Sequence, residues 1–294
     1  MALQWPLIVF TLCLCLGAGI WFATGLMAFR GEDDAVKMPG MVATAVCLVV
    51  GGFASFLHLH HWERMFNGFG HITSGITHEL IGIVVVMATV VLCFALFREK
   101  KTPKWMGAVS MAASVLLIVL MTHSYAMPAR PVWDVPFMYV AYLGNMGLFG
   151  FLALWIMQAA TKGSTLVAKK AALVSGAVQL VGYLGFALAL TGMGSSFSDV
   201  GYHFMSSYPN LPLQEPGATV AGFATGEFGL AFWCIVVLVG SVLPMVVAGL
   251  GMRKEEGASG SFGLVVASLV GALAGGLAFR MMFFLLGYSQ FVFY

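Results

Sequence analysis

Leu80-Ile81-Gly82-Ile83-Val84-Val85-Val86-Met87-Ala88-Thr89-Val90-Val91-Leu92-Cys93-Phe94-Ala95-Leu96-Phe97 carries no charge, and it lies between His78-Glu79 and Arg98-Glu99-Lys100-Lys101. As a helix, such a stretch has the length needed to cross a hydrocarbon core of about 30 Å. Comparable runs recur at residues 6–29, 41–59, 106–126, 136–158, 171–193, 228–252 and 262–288. Eight runs leave almost nothing over for a soluble domain. Of the 294 residues, 60% are hydrophobic and only 9% charged, too few charges to clothe a soluble surface. The expected fold is all-α: a polytopic integral membrane protein with eight transmembrane helices, organised as a single domain over residues 1–294.

The first run follows Met1-Ala2-Leu3-Gln4-Trp5, with no basic segment ahead of it and no convincing small-x-small cleavage signal, so it reads as a retained span. Trp5 is placed to anchor that span at the interface. Pro244 inside the seventh run predicts a kink. Gly144, Gly147 and Gly150, and again Gly271, Gly275 and Gly276, fit close helix packing.

The loops differ sharply in cation content. Those after runs one, three, five and seven hold Arg30, Lys37, Arg98, Lys100, Lys101, Lys104, Lys162, Lys169, Lys170, Arg253 and Lys254. The opposite set holds Arg64 and Arg130, and Arg280 lies within the last run. By the positive-inside bias the first set is cytoplasmic and both termini are on the outer face. The net charge of +2 implies no nucleic-acid partner.

This orientation puts all seven histidines on the outer side: His58, His60, His61, His71, His78, His123 and His203. Glu79 opens the third span there, Arg130 and Asp134 lie in the next outer loop, and Asp199, Glu215 and Glu227 lie in the long loop at 194–227. Loop histidines sit in water, where polarity costs little. His58, His123 and Arg280 lie in apolar runs and Glu79 is continuous with one; ionisable groups there are costly and therefore functional candidates.

A haem-b electron path needs axial histidines near both faces, and the inner face has none. Cys13, Cys15, Cys47, Cys93 and Cys234 all fall within apolar runs without iron–sulfur or haem-attachment spacing, so no cluster or haem is expected in this chain, and no metal site. A secondary transporter would place polar groups near the midplane, where Asn145, Gln179 and Tyr183 are the candidates. A quinol site asks for proton acceptors beside the ring oxygens, for which a histidine and a carboxylate are apt, and for an apolar entry for the tail. Its electrons would need a redox centre on another subunit.

Trp5-Pro6-Leu7-Ile8-Val9-Phe10-Thr11, Ser55-Phe56-Leu57-His58-Leu59, Arg64-Met65-Phe66-Asn67 and Glu79, then Pro131-Val132-Trp133 and Arg280, resemble the membrane-anchor subunit of the dimethyl sulfoxide reductase family. The resemblance implies an eight-helix, haem-free membrane-anchor domain in the bacterial inner (cytoplasmic) membrane. Such an anchor holds a molybdopterin catalytic subunit and an iron–sulfur electron-transfer subunit, and it oxidises menaquinol to menaquinone in anaerobic respiration. It also implies roles: His58 matches the histidine implicated in menaquinol oxidation, Glu79 the carboxylate paired with it, and Arg64 and Asn67 the motif around that histidine. Arg280 joins these as a quinol-binding candidate.

The sequence departs from the family pattern where His60-His61-Trp62-Glu63 replaces a Gly-Ser-Pro-like turn, and where one residue fewer separates Asn67 from Glu79. His60, His61, His78 and His123 are therefore additional candidates. A polysulfide-reductase-type quinone-reactive anchor is the neighbouring reading and a transporter the more distant one. The terminal electron acceptor is not encoded in this chain.

Overall fold

The computed structural model describes residues 4–32, 34–57, 61, 67, 70–71, 73–197, 216–253 and 261–289. Among the described residues the chain is helical, with no strand. Among the described residues, eight helices are long and apolar enough to cross a membrane. They are α1 (Trp5–Arg30), α2 (Lys37–Phe56), α3 (Gly75–Phe97), α4 (Lys104–Tyr125), α5 (Phe137–Ala160), α6 (Leu166–Thr191), α7 (Gly229–Gly251) and α8 (Ser261–Leu285). A short helix, Pro216–Ala221, precedes α7.

The eight apolar runs all coincide with helices, but several ends move. α2 starts at Lys37 rather than residue 41, and α3 at Gly75 rather than residue 80. The reason is the same in both places: polar residues occupy the first turns, so hydropathy alone begins counting too late. For α3 the shift matters, because it brings His78 and Glu79 inside the helix instead of at its threshold.

α1 and α5 form the buried centre, while α2 and α3 present most of their surface outward. α1 packs against α2, α4, α5 and α8, and α5 against α6. Between lipid-immersed helices close backbone approach supplies much of the packing. Gly19 of α1 and Gly150 of α5 touch backbone to backbone: a Cβ at Gly19 would run into the Met146 carbonyl, and one at Gly150 into the Gly19 carbonyl. Gly150→Ala is expected to destabilise the bundle by about 1–3 kcal/mol, the usual range for overpacking. Gly249→Ala adds a Cβ that meets open space and should leave the thermal midpoint in detergent unchanged.

α7 is not a plain α-helix. Phe232–Val242 is wound as a π-helix, and α-helix resumes at Leu243 with Pro244 in its first turn. The expected disturbance at Pro244 is thus displaced to the turns before it. Proline cannot donate a hydrogen bond to the carbonyl four residues back, here that of Gly240. Gln179 Nε2 of α6 donates to it instead at 3.0 Å, and to Ser241 Oγ at 2.8 Å. Gly240 also lies against Gly275 of α8, where a side chain on either would collide with the other's backbone.

The bundle has two chemically different ends. At one, Lys37 donates to the Lys100 carbonyl and the Lys169 ammonium lies over the Trp155 ring. At the other end gather the C-termini of α2, α4, α6 and α8 and the N-termini of α3 and α5.

Candidate functional site

Glu79 is the fifth residue of α3 and only 8% exposed. Its position follows from how α3 begins. Ser74 is extended (φ −74°, ψ 133°), and the His78 N–H donates to its carbonyl to close the first turn. Gly75 lets this turn lie directly on the last turn of α4, since a Cβ there would come within 2.9 Å of Ser124 Cα and Cβ. About two turns further on, Gly82 sits on Leu117 in the same way. The two glycines thus set α3 on α4 with the Glu79 carboxylate facing Ser124, whose hydroxyl hydrogen-bonds Glu79 Oε1. The same hydroxyl lies 2.7 Å from the Met121 carbonyl.

On its other side Glu79 borders a groove of about 350 Å³ between α1, α2 and α3. Leu7, Phe10, Leu48, Phe53, Phe56 and Ile83 form most of its wall. Among the described residues lining it, Glu79 is the one charged group and Ser55 the other side-chain hydrogen-bonding group. Because α2 and α3 are the helices least covered by the rest of the bundle, the groove lies where lipid would meet it. An apolar passage ending on one carboxylate suits an amphiphile with a long tail and a protic head.

Arg280, in α8, is fully buried. Nε donates to Thr11 Oγ1 (3.1 Å), and one terminal nitrogen donates to Asn145 Oδ1 and to the Gly276 carbonyl, both at 3.0 Å. The other donates to Cys15 Sγ (3.0 Å) and to the Thr11 carbonyl (3.4 Å). The guanidinium also lies over the Tyr142 ring, 4.8 Å from its centroid. None of these bonds goes to a carboxylate. The charge is spread over neutral oxygens, a thiol and a π-face, which ties α8 to α1 and α5. Asn145 in turn donates to Tyr183 Oη at 2.9 Å.

The loop between α4 and α5 is fastened to the end of α8. Trp133 Nε1 donates to the Phe283 carbonyl (2.9 Å), and Arg130 donates to that of Gly287 (2.6 Å) while lying over the Trp133 ring. Trp133 packs with Tyr125, Phe283 and Phe284, which gives the Pro131-Val132-Trp133 stretch a structural role as the clamp over this end of the bundle.

Of the residues singled out from sequence, the structure brings Glu79, His78 and His123 to one end of the α3–α4 pair, with the His78 and His123 rings stacked 6.2 Å apart. Asn67 and His61 are exposed beyond the helix ends. His58, His60 and Arg64 lie outside the described residues. Asn145, Gln179 and Tyr183 are engaged with Arg280, with each other or with the bend in α7. Sequence reading missed Ser124, Tyr139, Thr11, Cys15 and Tyr142. Each is an ordinary helix residue, and only the packing of one helix on another gives it a partner. Among the described residues no three His, Cys, Asp or Glu side chains converge to hold a metal ion.

Eight apolar helices with a buried carboxylate under a lipid-facing groove define a multi-pass membrane protein with its polar chemistry at one end. The chain belongs to the DMSO reductase anchor subunit (DmsC) family, whose model matches residues 1–196. That segment contains His58, Arg64, Asn67, Glu79 and Trp133, and it stops before α7 and α8. The chain is also 28% identical, over 166 residues, to the anaerobic dimethyl sulfoxide reductase chain YnfH of Escherichia coli (strain K12). The similarity covers 53% of this chain and 58% of that relative, less than two thirds of its length.

Proposed function

We propose that this chain is the quinol-oxidising membrane anchor of a dimethyl sulfoxide reductase-like complex. The observation that carries the reading is the Glu79 carboxylate, buried at the end of an apolar groove open between α1, α2 and α3. Menaquinol enters from the lipid with its tail along the groove. Glu79 accepts one hydroxyl proton and His58, which follows α2 in the sequence, the other, a histidine and a carboxylate being suited to that task. Arg64 and Asn67 help hold the head group. Arg280 acts from within the bundle by fixing α1, whose Leu7 and Phe10 wall the groove.

Residues 1–294 work as one membrane-anchor domain. The polar end faces outward and the lysine-rich end the cytoplasm, so both termini are outside, in the bacterial inner membrane. Electrons leave to an iron–sulfur subunit docked on the outer loops, which serves a molybdopterin catalytic subunit. Protons and electrons then exit on the same side, and the quinol step moves no net charge across the membrane. The engagement of Asn145, Gln179 and Tyr183 within the protein favours this reading over a midplane transport site.

Titration of the purified membrane protein with a fluorescent hydroxyquinoline N-oxide quinol analogue tests it. Saturable quenching is expected in the wild type, with loss or marked weakening in His58→Ala and in Glu79→Ala. Wild-type protein that does not quench the analogue, or variants that quench it equally well, would overturn the site.

A further inference from the structure

One cavity borders Glu79 of α3 and another the last turn of α4, and they differ in character. The first is the apolar groove that ends at Glu79. The second is a cleft of about 240 Å³ lined by His123, Asp134, Tyr139, Trp133 and Thr122 among others. Consecutive residues of α4 serve the two: Ser124 bonds Glu79, and His123 Nδ1 lies 3.0 Å from Tyr139 Oη. His78, next to Glu79 on α3, stacks on His123, and its Nδ1 is buried with no hydrogen-bond partner among the described residues. His123 is exposed, so the polar groups that start at a buried carboxylate reach the protein surface.

The Ser124 hydroxyl has one hydrogen and two neighbouring oxygens. Facing ionised Glu79 it donates to the carboxylate. When Glu79 holds a proton the carboxyl donates to Ser124 Oγ, which turns its own hydrogen to the Met121 carbonyl. Both protonation states of Glu79 are thus satisfied without moving a heavy atom, as a carboxylate that must load and unload a proton every turnover requires. A group that took up a proton with no way to pass it on would stop after one cycle.

We infer that Ser124 and the His78–His123 pair form the exit by which the quinol proton taken up by Glu79 reaches outer water, through the cleft bounded by Tyr139 and Asp134. The inference rests on the quinol reading above. The balance is simple: two quinol O–H bonds break, one proton going to Glu79 and the other to His58 as proposed above, and two electrons are released. From Glu79 the proton passes by way of Ser124 to an imidazole of the pair and then to water, while the electrons leave separately to the one-electron acceptor of the partner subunit. Ser124, His78 and His123 act through Glu79 and do not touch the quinol.

The test uses membranes carrying the assembled complex, with a short-chain menaquinol analogue as donor. His123→Ala and Ser124→Ala should each lower kcat about tenfold, a modest part of what proton transfer contributes, with KM for the quinol unchanged. Added imidazole should restore the turnover of His123→Ala, which a purely structural loss would not allow. Tyr139→Phe, which keeps the ring and removes the hydroxyl, should lower kcat to a smaller extent. Undiminished kcat in His123→Ala and Ser124→Ala, or a loss in His123→Ala that imidazole does not relieve, would overturn the exit while leaving the quinol site standing. Wild-type complex that does not oxidise the analogue at all would overturn the underlying function instead.

Discussion

Glu79→Gln should abolish quinol-driven turnover while leaving the protein folded and assembled. The amide has the shape of the carboxyl and still accepts a hydrogen bond from Ser124, so the α3–α4 contact that Gly75 permits is kept. What the amide cannot do is take a proton. Loss of a positioned acid–base group costs about 10²–10⁴-fold, and the groove offers no second carboxylate among the described residues that line it. Quinol turnover should therefore fall by about 100-fold or more. Reduction of the terminal acceptor with electrons supplied by a soluble one-electron dye should stay at the wild-type rate. Quinol turnover undiminished in a correctly assembled Glu79→Gln complex would remove Glu79 from the mechanism.

The second large effect runs against substitution tables. At position 280 lysine should be worse than methionine. Arg280 serves α1, α5 and its own helix through a planar fork whose nitrogens reach Thr11, Cys15, Asn145 and Gly276 at once. A lysine ammonium is a compact point charge and cannot span those partners. It would keep the cost of a charge inside the bundle while losing at least two charge-assisted bonds, each worth about 1.5–3 kcal/mol. Arg280→Lys is thus expected to lose about 3 kcal/mol or more. Arg280→Met also loses the bonds but sheds the buried charge, and apolar replacements of buried ionic groups are often close to neutral. Thermal midpoints of the purified protein in detergent decide the matter: the order wild type, then Met, then Lys is expected. Lysine matching wild type would show that charge alone, not the fork, is what the site uses.

The membrane fold was legible because hydropathy is a one-dimensional property: eight apolar runs could be counted without knowing how they pack. The polar end was legible too, because Glu79, His78 and His123 sit at run ends that alternation puts together. Arg280 announced itself as a charge within Leu277-Ala278-Phe279 and Met281-Met282-Phe283. Its partners did not. Thr11 and Cys15 are 269 and 265 residues away, and nothing local marks a threonine as the acceptor for a distant arginine. Ser124 was invisible for the same reason, since its importance depends on Gly75 allowing two helices to touch. The π-helical stretch of α7 escaped because its residues are uniformly apolar and its cause is spread over Pro244, Gln179 and Gly275. The start of α3 was misplaced because a hydropathy threshold cannot see a helix whose first turn is polar.

The bonds from Arg280 to the first span also bear on how the protein is made. α8 leaves the ribosome with a charge near its outer end, and a lone arginine within a helix disfavours insertion by about 2.5–3.5 kcal/mol at the bilayer centre. The groups that offset this cost, on α1 and α5, are synthesised well before it. α8 is therefore stabilised in the bilayer by helices synthesised before it, and a nascent chain whose α1 is damaged would hold α8 there less firmly. In this way a single side chain lets a later helix report on the state of an earlier one.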